Sequence, residues 1–148
     1  LGLADKNIQI KMADATDPFS WWDGEAFDAI LLDAPCSGTG IIRRQPDIKW
    51  HRKAEDIQKM AELQTRILQS LWPLLKTGGR MLYCTCSVFH AEGQDQVRAF
   101  LERHTDALLI PSPGHLHPGT AIPGGEFNDN EPGGYDGFYY ARLDKALP

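Results

Sequence analysis

The chain has 148 residues, 42% hydrophobic and 24% charged, with a net charge of −5. This suits one domain with a core, excludes a disordered or fibrous chain, and leaves no apolar run near the ~20 residues a membrane span needs. The start lacks signal-peptide features. Three cysteines make no disulfide framework and set the expectation of a reducing cytoplasm, while the negative balance argues against a stand-alone nucleic-acid binder without forbidding a basic patch.

Residues 7–12 (NIQIKM) alternate polar and apolar, which predicts a half-buried strand. Residues 27–32 (FDAILL) predict a strand buried on both faces, ending at Asp33-Ala34-Pro35. Between Glu55 and Lys76 apolar residues recur at helical spacing, with Pro73 expected to kink or end the helix and Gly78-Gly79 to stop it. Residues 80–84 (RMLYC) predict a second buried strand. Residues 92–104 predict a helix with Val97, Phe100 and Leu101 inward, where Glu92 and Asp95 favour the helix start through its dipole. Residues 107–110 are a brief strand candidate, residues 111–137 a long Pro/Gly-rich loop, and residues 138–143 (FYYARL) a last strand. Strands alternating with helices predict an α/β fold with a doubly wound, mostly parallel sheet.

In such sheets the chemistry sits at the carboxyl ends of the strands. Asp33 to Gly40 (DAPCSGTG) follows one strand and Thr85-Cys86-Ser87 the next, so neighbouring strands would bring Cys36 and Cys86 face to face. A thiolate is the strongest ordinary side-chain nucleophile. With a second thiol and the acid Asp33 beside it, the set suits attack on an electron-poor heteroaromatic ring better than peptide hydrolysis, for which no histidine is obviously placed. A single strand-end cysteine is as readily a core residue; two on facing ends favour chemistry. The Cys84-x-Cys86-x3-His90 spacing invites zinc, but Cys84 and Cys86 should point to opposite faces and no second knuckle exists. Ser37-Gly38-Thr39-Gly40 lacks the phosphate-loop pattern, and its glycines suit a sharp turn under Cys36.

Arg43, Arg44, Lys49, His51, Arg52 and Lys53 form a basic cluster around Trp50. It reads either as an RNA-facing loop or as a solvated loop with Trp50 packed inward. Phe138, Tyr139 and Tyr140 are expected to pack the sheet, and His115 and His117 to lie on the surface without matching partners.

The segments DAPCSGTGIIRRQPDIKW (33–50), LWPLLKTGG (71–79), YCTCSV (83–88) and DGFYYARL (136–143) resemble the RNA 5-methylcytosine methyltransferases. Within them they are most similar to the bacterial Sun (Fmu, RsmB) group, which acts on small-subunit ribosomal RNA. The resemblance implies a Rossmann-like class I S-adenosylmethionine-dependent methyltransferase sheet and methylation of cytosine carbon 5 through a cysteine adduct at carbon 6. It implies Cys86 as nucleophile, Cys36 as the thiol that assists product release, and Asp33 between methyl donor and base. It also implies Asp14, in Ala13-Asp14-Ala15, near the cofactor adenine, and Pro35, Ser37, Arg43, Arg44 and Lys49 toward the RNA substrate. Ala13 stands where a Gly is usual and Cys84 where an Ala or Ser is usual, the latter read as buried and inert.

The family's glycine-rich cofactor motif and the ribose-holding acid after its second strand do not occur in the sequence. The expectation is therefore a catalytic-domain segment over residues 1–148, truncated at the N-terminus with the first two strands missing. Such a chain would be inactive alone, with residues 7–12 displaced, frayed or paired elsewhere. RNA is the expected partner, with neither metal nor membrane. A non-catalytic RNA- or partner-binding remnant and a thiol-redox protein are the alternatives.

Overall fold

The computed structural model describes residues 8–118 and 136–147. Four strands, β1 (Phe27–Asp33), β2 (Leu75–Thr85), β3 (Ala107–Leu116) and β4 (Phe138–Lys145), form one sheet in the order β1-β2-β4-β3. β1 and β2 are parallel, whereas β4 runs antiparallel to both β2 and β3. The sheet is therefore mixed among the described residues, not mostly parallel. β4, the last described strand in the chain, lies between β2 and β3.

The crossover from β1 to β2 runs through α1 (Ile48–His51) and α2 (Ala54–Leu71). α2 begins where the Asp56 carboxylate accepts the Lys53 N–H at 2.9 Å. It buries Ala61, Gln64, Ile67, Leu68 and Leu71, a stripe at helical spacing. Pro73 ends it: the chain tightens into a 3₁₀ turn at Trp72–Leu74 and passes directly into β2. The helix thus stops at Leu71, short of Lys76, and Gly78-Gly79 lie inside β2 beside a register shift opposite β1.

α3 (Gln94–Arg103) buries Val97 and Phe100. With α2 it covers one face of the sheet, whose inward residues Met81, Tyr83, Tyr139, Ala141 and Leu143 join the helices in a single core cluster. Trp72 anchors this layer, its ring edge-on to Phe100 and its indole N–H bonded to Asp106. On the opposite face Leu31 (69% exposed) and Leu82 stand side by side across β1 and β2.

Two sequence expectations change here. β3 continues through Pro111 and Pro113 to Leu116, so residues 111–116 are strand and not loop; residues 119–135 lie outside the described residues. A strand at the edge of a sheet tolerates proline, and the register shift between Ile110 and Gly114 absorbs the irregularity. Ser112 repairs the ladder there, its hydroxyl accepting the Arg142 N–H at 2.9 Å. Residues 8–12 form no strand, and Ile10 and Met12 are fully in solvent; Asn7 lies outside the described residues. Alternation alone does not make a strand without a neighbouring edge to pair with.

Candidate active site

Parallel pairing sets Asp33 opposite Cys84, so the two chain segments leaving β1 and β2 emerge together at the carboxyl end of the sheet. There the Cys36 and Cys86 Sγ atoms are 3.3 Å apart, both half-buried. Cys84 is buried and turned to the other side, its Sγ 3.6 Å from the Leu32 carbonyl and 3.7 Å from Asp33 Oδ1. Alternation along β2 separates it from Cys86, as the sequence predicts. Among the described residues no cluster of His, Cys, Asp or Glu could hold a metal ion.

The thiols are electrostatically unequal. The hydrogen bond from Cys36 is the largest influence on Cys86 and holds its thiol down to about 7, against the opposing effect of burial. The same contact, with burial, pushes Cys36 far up. The asymmetry favours Cys36 as the proton-bearing donor and Cys86 as the thiol that ionises first. Burial and the nearby Asp33 carboxylate raise Cys84 to about 11, so it stays a thiol.

Beneath the thiols lies a polar network. Glu92 is fully buried, its carboxylate accepting the Ser37 N–H at 2.7 Å, the Ser37 hydroxyl at 2.5 Å and the Ser87 hydroxyl at 2.6 Å. Ser37 and Ser87 are the residues directly after the two cysteines. Arg52 Nε and Gln64 Nε2 each donate at 2.9 Å to the loop carbonyls of Ser37 and Pro35. Tyr83 and Thr85 donate to the Glu92 carbonyl. Glu92 therefore does not serve the start of α3; it sits in the 3₁₀ turn His90–Glu92 with its side chain turned inward.

A third segment closes the site. Gly40 N–H donates to the Cys86 carbonyl at 2.9 Å, and Gly137 N–H to the Gly40 carbonyl at 2.7 Å. A Cβ on Gly40 would lie 1.8 Å from the Gly137 oxygen, so glycine is required there by close approach. Beside this junction the nearly buried Asp136 binds Arg44 Nε at 2.5 Å and lies 3.5 Å from Arg43 Nη2.

The predicted basic cluster is consequently divided. Arg43 and Arg44 flank Asp136, Arg52 holds the Cys36 loop, and Lys49 lies over the ring of Trp50, 5.0 Å from its centroid. Trp50 is 78% exposed, which excludes the inward-packed alternative. Asp33 and Pro35 are exposed near the thiols, whereas Ser37 is fully buried and bonded to Glu92. Asp14 is exposed in a separate turn, where the Thr16 N–H and hydroxyl, both at 2.8 Å, hold its carboxyl below the usual range. His115 does not lie free on the surface: it stacks on His90 and His117 and against Tyr139. Sequence reading missed Glu92, Gln64 and Asp136 as site residues, and placed Arg52 in the basic cluster without its hold on the Ser37 carbonyl. The signal for Glu92 was its place five residues after Ser87, and for Asp136 its place beside Gly137.

The α/β sheet, with its PCS and TCS loops at adjacent strand ends, has the Rossmann-like fold of the S-adenosylmethionine-dependent methyltransferases. Residues 1–144 match the model of the family described as 16S rRNA methyltransferase RsmB/F, and the chain belongs to that family, whose members depend on S-adenosylmethionine. It is 52% identical over 136 residues to a ribosomal RNA small subunit methyltransferase B from Xylella fastidiosa, covering 92% of this chain and 32% of that protein. With the protein of that name from Vibrio cholerae it shares 53% over 137 residues, covering 93% and 30%. The chain thus spans about a third of the length of these relatives. Among solved structures, NSun6 from Pyrococcus horikoshii with SFG superposes with a TM-score of 0.72 at 24% identity, over 97% of this chain and 36% of that one, a likeness of fold. A methyltransferase homolog from the same organism gives a TM-score of 0.64 at 27% identity, over 90% and 43%. No described helix is long and apolar enough to cross a membrane.

Proposed function

We propose that this chain carries the thiol centre of an enzyme that methylates carbon 5 of a cytosine in RNA, the RNA being small-subunit ribosomal RNA as in the names of its relatives. The observation that carries the reading is the unequal thiol pair, 3.3 Å apart. The Cys86 thiolate adds to cytosine carbon 6, forming a carbon–sulfur bond and moving the ring electrons to carbon 5. Bound S-adenosylmethionine would supply the methyl group, its sulfur–methyl bond breaking as carbon 5 takes the methyl and the neutral thioether S-adenosylhomocysteine leaves. Loss of the carbon 5 proton to water then returns the electron pair to the ring and breaks the carbon–sulfur bond. Cys36, held as a thiol beside Cys86, stabilises the departing thiolate by hydrogen bonding.

The residues fit part of the methyl donor's surroundings. Asp33 and Asp14 present exposed carboxylates, acceptors suited to its amino and hydroxyl groups. Arg43, Arg44 and Lys49, with the exposed Trp50, are placed to meet phosphate and base. Reaching the ring edge requires a base outside its stack. The 148-residue chain by itself, a third the length of its relatives, is read as binding the donor too weakly to turn over.

The test exchanges this chain for its matching segment in the Vibrio cholerae relative. Cys86→Ala in that chimera abolishes methylation and covalent attachment to RNA, whereas Cys36→Ala accumulates the protein–RNA adduct. Adduct trapped by Cys86→Ala and none by Cys36→Ala reverses the two roles. Calorimetric titration of the isolated chain with S-adenosylmethionine shows no binding; micromolar affinity refutes the incompetence of the chain alone.

A further inference from the structure

We infer that Glu92 is a positioning residue: by gripping the Cys36 loop and the Cys86 loop at once, it sets the contact between the two thiols. The inference rests on the reading of Cys86 as nucleophile, but it concerns thiol geometry and is tested without RNA.

A buried carboxylate is costly unless its lone pairs are filled. Glu92 is fully buried and has them filled by the two segments that carry the cysteines. One oxygen takes the Ser37 N–H, with Gln64 Nε2 at 3.5 Å; the other takes both serine hydroxyls. Charge-assisted bonds of this kind are short and directional. Its own backbone is fixed as well, since Tyr83 and Thr85, both on β2, donate to its carbonyl at 2.8 and 3.2 Å. The clamp is thereby tied to the sheet, one residue from each thiol. Besides Glu92, the bond from Gly40 N–H to the Cys86 carbonyl ties the loops by backbone, and weaker hydroxyl contacts join Ser37 and Thr39 to Ser87. A sulfur–sulfur contact of 3.3 Å does not survive loop displacement of an ångström.

The charge and the geometry of Glu92 act on Cys86 in opposite directions. The titratable groups facing Cys86 are Cys36, Asp33, Glu92, Cys84 and Tyr140. As a charge, Glu92 disfavours the Cys86 thiolate; through the loops, it preserves the Cys36 hydrogen bond that favours it. Removal for electrostatic reasons alone would make Cys86 titrate lower, whereas loss of positioning makes it titrate higher.

The experiment is iodoacetamide alkylation of this chain across about pH 6 to 10, with Cys86 followed by peptide mass. Glu92→Ala is expected to raise the Cys86 midpoint by about one unit, toward an ordinary thiol, and Glu92→Gln, which keeps an acceptor oxygen, by less. Phe100→Ala, whose ring packs on Trp72 and His104, weakens the core and leaves the midpoint in place. If Glu92→Ala does not fold, Ser87→Ala, which removes one of the grips, is measured in its stead and moves the midpoint the same way. A folded variant whose midpoint stays or falls, or a Phe100→Ala midpoint that rises equally, overturns the inference. Absence of RNA adduct in the chimera with these thiol midpoints intact would instead remove the nucleophile reading and leave the clamp standing.

Discussion

Cys36 and Cys86, fifty residues apart, meet at 3.3 Å between sulfurs because β1 and β2 are parallel neighbours whose ends are level. The asymmetry favours Cys36 as the donor in that contact, whose hydrogen bond holds the Cys86 thiol down to about 7. Alkylation of Cys86 therefore rises as pH passes through about 7. Cys36→Ala removes the donor that favours the thiolate, so deprotonation needs a higher pH and the midpoint moves up. Rates measured by mass spectrometry across that range check the sign.

Gly40 and Gly137 touch backbone to backbone. Gly40→Ala would place a Cβ 1.8 Å from the Gly137 oxygen and force the loops apart. The expected cost is about 2 kcal/mol or more, at the upper end for single substitutions. Chemical denaturation measures it. Gly24→Ala serves as a control: its φ of +95° strains the variant, but a Cβ there meets nothing within 4 Å, so the thiol site stays intact.

Asp136 is shielded while the arginines it binds are half exposed. Asp136→Asn removes an ion pair whose arginines are about half exposed, so the loss is small, about 1 kcal/mol, and shrinks as salt is added. Denaturation midpoints at low and high salt give the difference. A loss independent of salt would show that Asp136 acts through packing.

Leu68 is the most buried apolar residue of α2, 1% exposed in the core that backs β2. Leu68→Ala is expected to destabilise by about 2 to 5 kcal/mol. Calorimetric unfolding reads the loss directly, and a change below about 1 kcal/mol would mean that the core collapses around the cavity.

β1, α2, β2 and α3 are legible in sequence as elements: an apolar run places the strands, and helical spacing the helices through Ile67, Leu68 and Leu71 and through Val97 and Phe100. The run over 27–32 overstates burial, since β1 buries only Leu32 and leaves Leu31 exposed rather than being covered on both faces. The outer half of β3 is not, because Pro111, Pro113 and Gly114 carry loop chemistry and only the β4 edge makes a strand of them. Residues 8–12 fail in the opposite way, having a strand pattern and no strand beside them. The cysteine pair is readable since strand ends can be placed in order. Glu92 is only half readable: Ser87 lies five residues before it, but its other partner, Ser37, is 55 residues away. The division of the basic cluster likewise depends on Asp136, almost a hundred residues from Arg44.

The junction of Gly137 with Gly40, and of Gly40 with Cys86, also bears on the order of events at the ribosome. Synthesis delivers Cys36 first, Cys86 fifty residues later, and β4 last of the strands, although β4 sits inside the sheet between β2 and β3. A nascent chain still lacking residues 136–145 has both thiols but neither the strand that completes the sheet nor the glycine contact that closes the loops. The backbone junction therefore closes over the thiol loops only after residues 136–145 are made, although Cys36, Cys86 and the Glu92 that grips both loops are all synthesised before them.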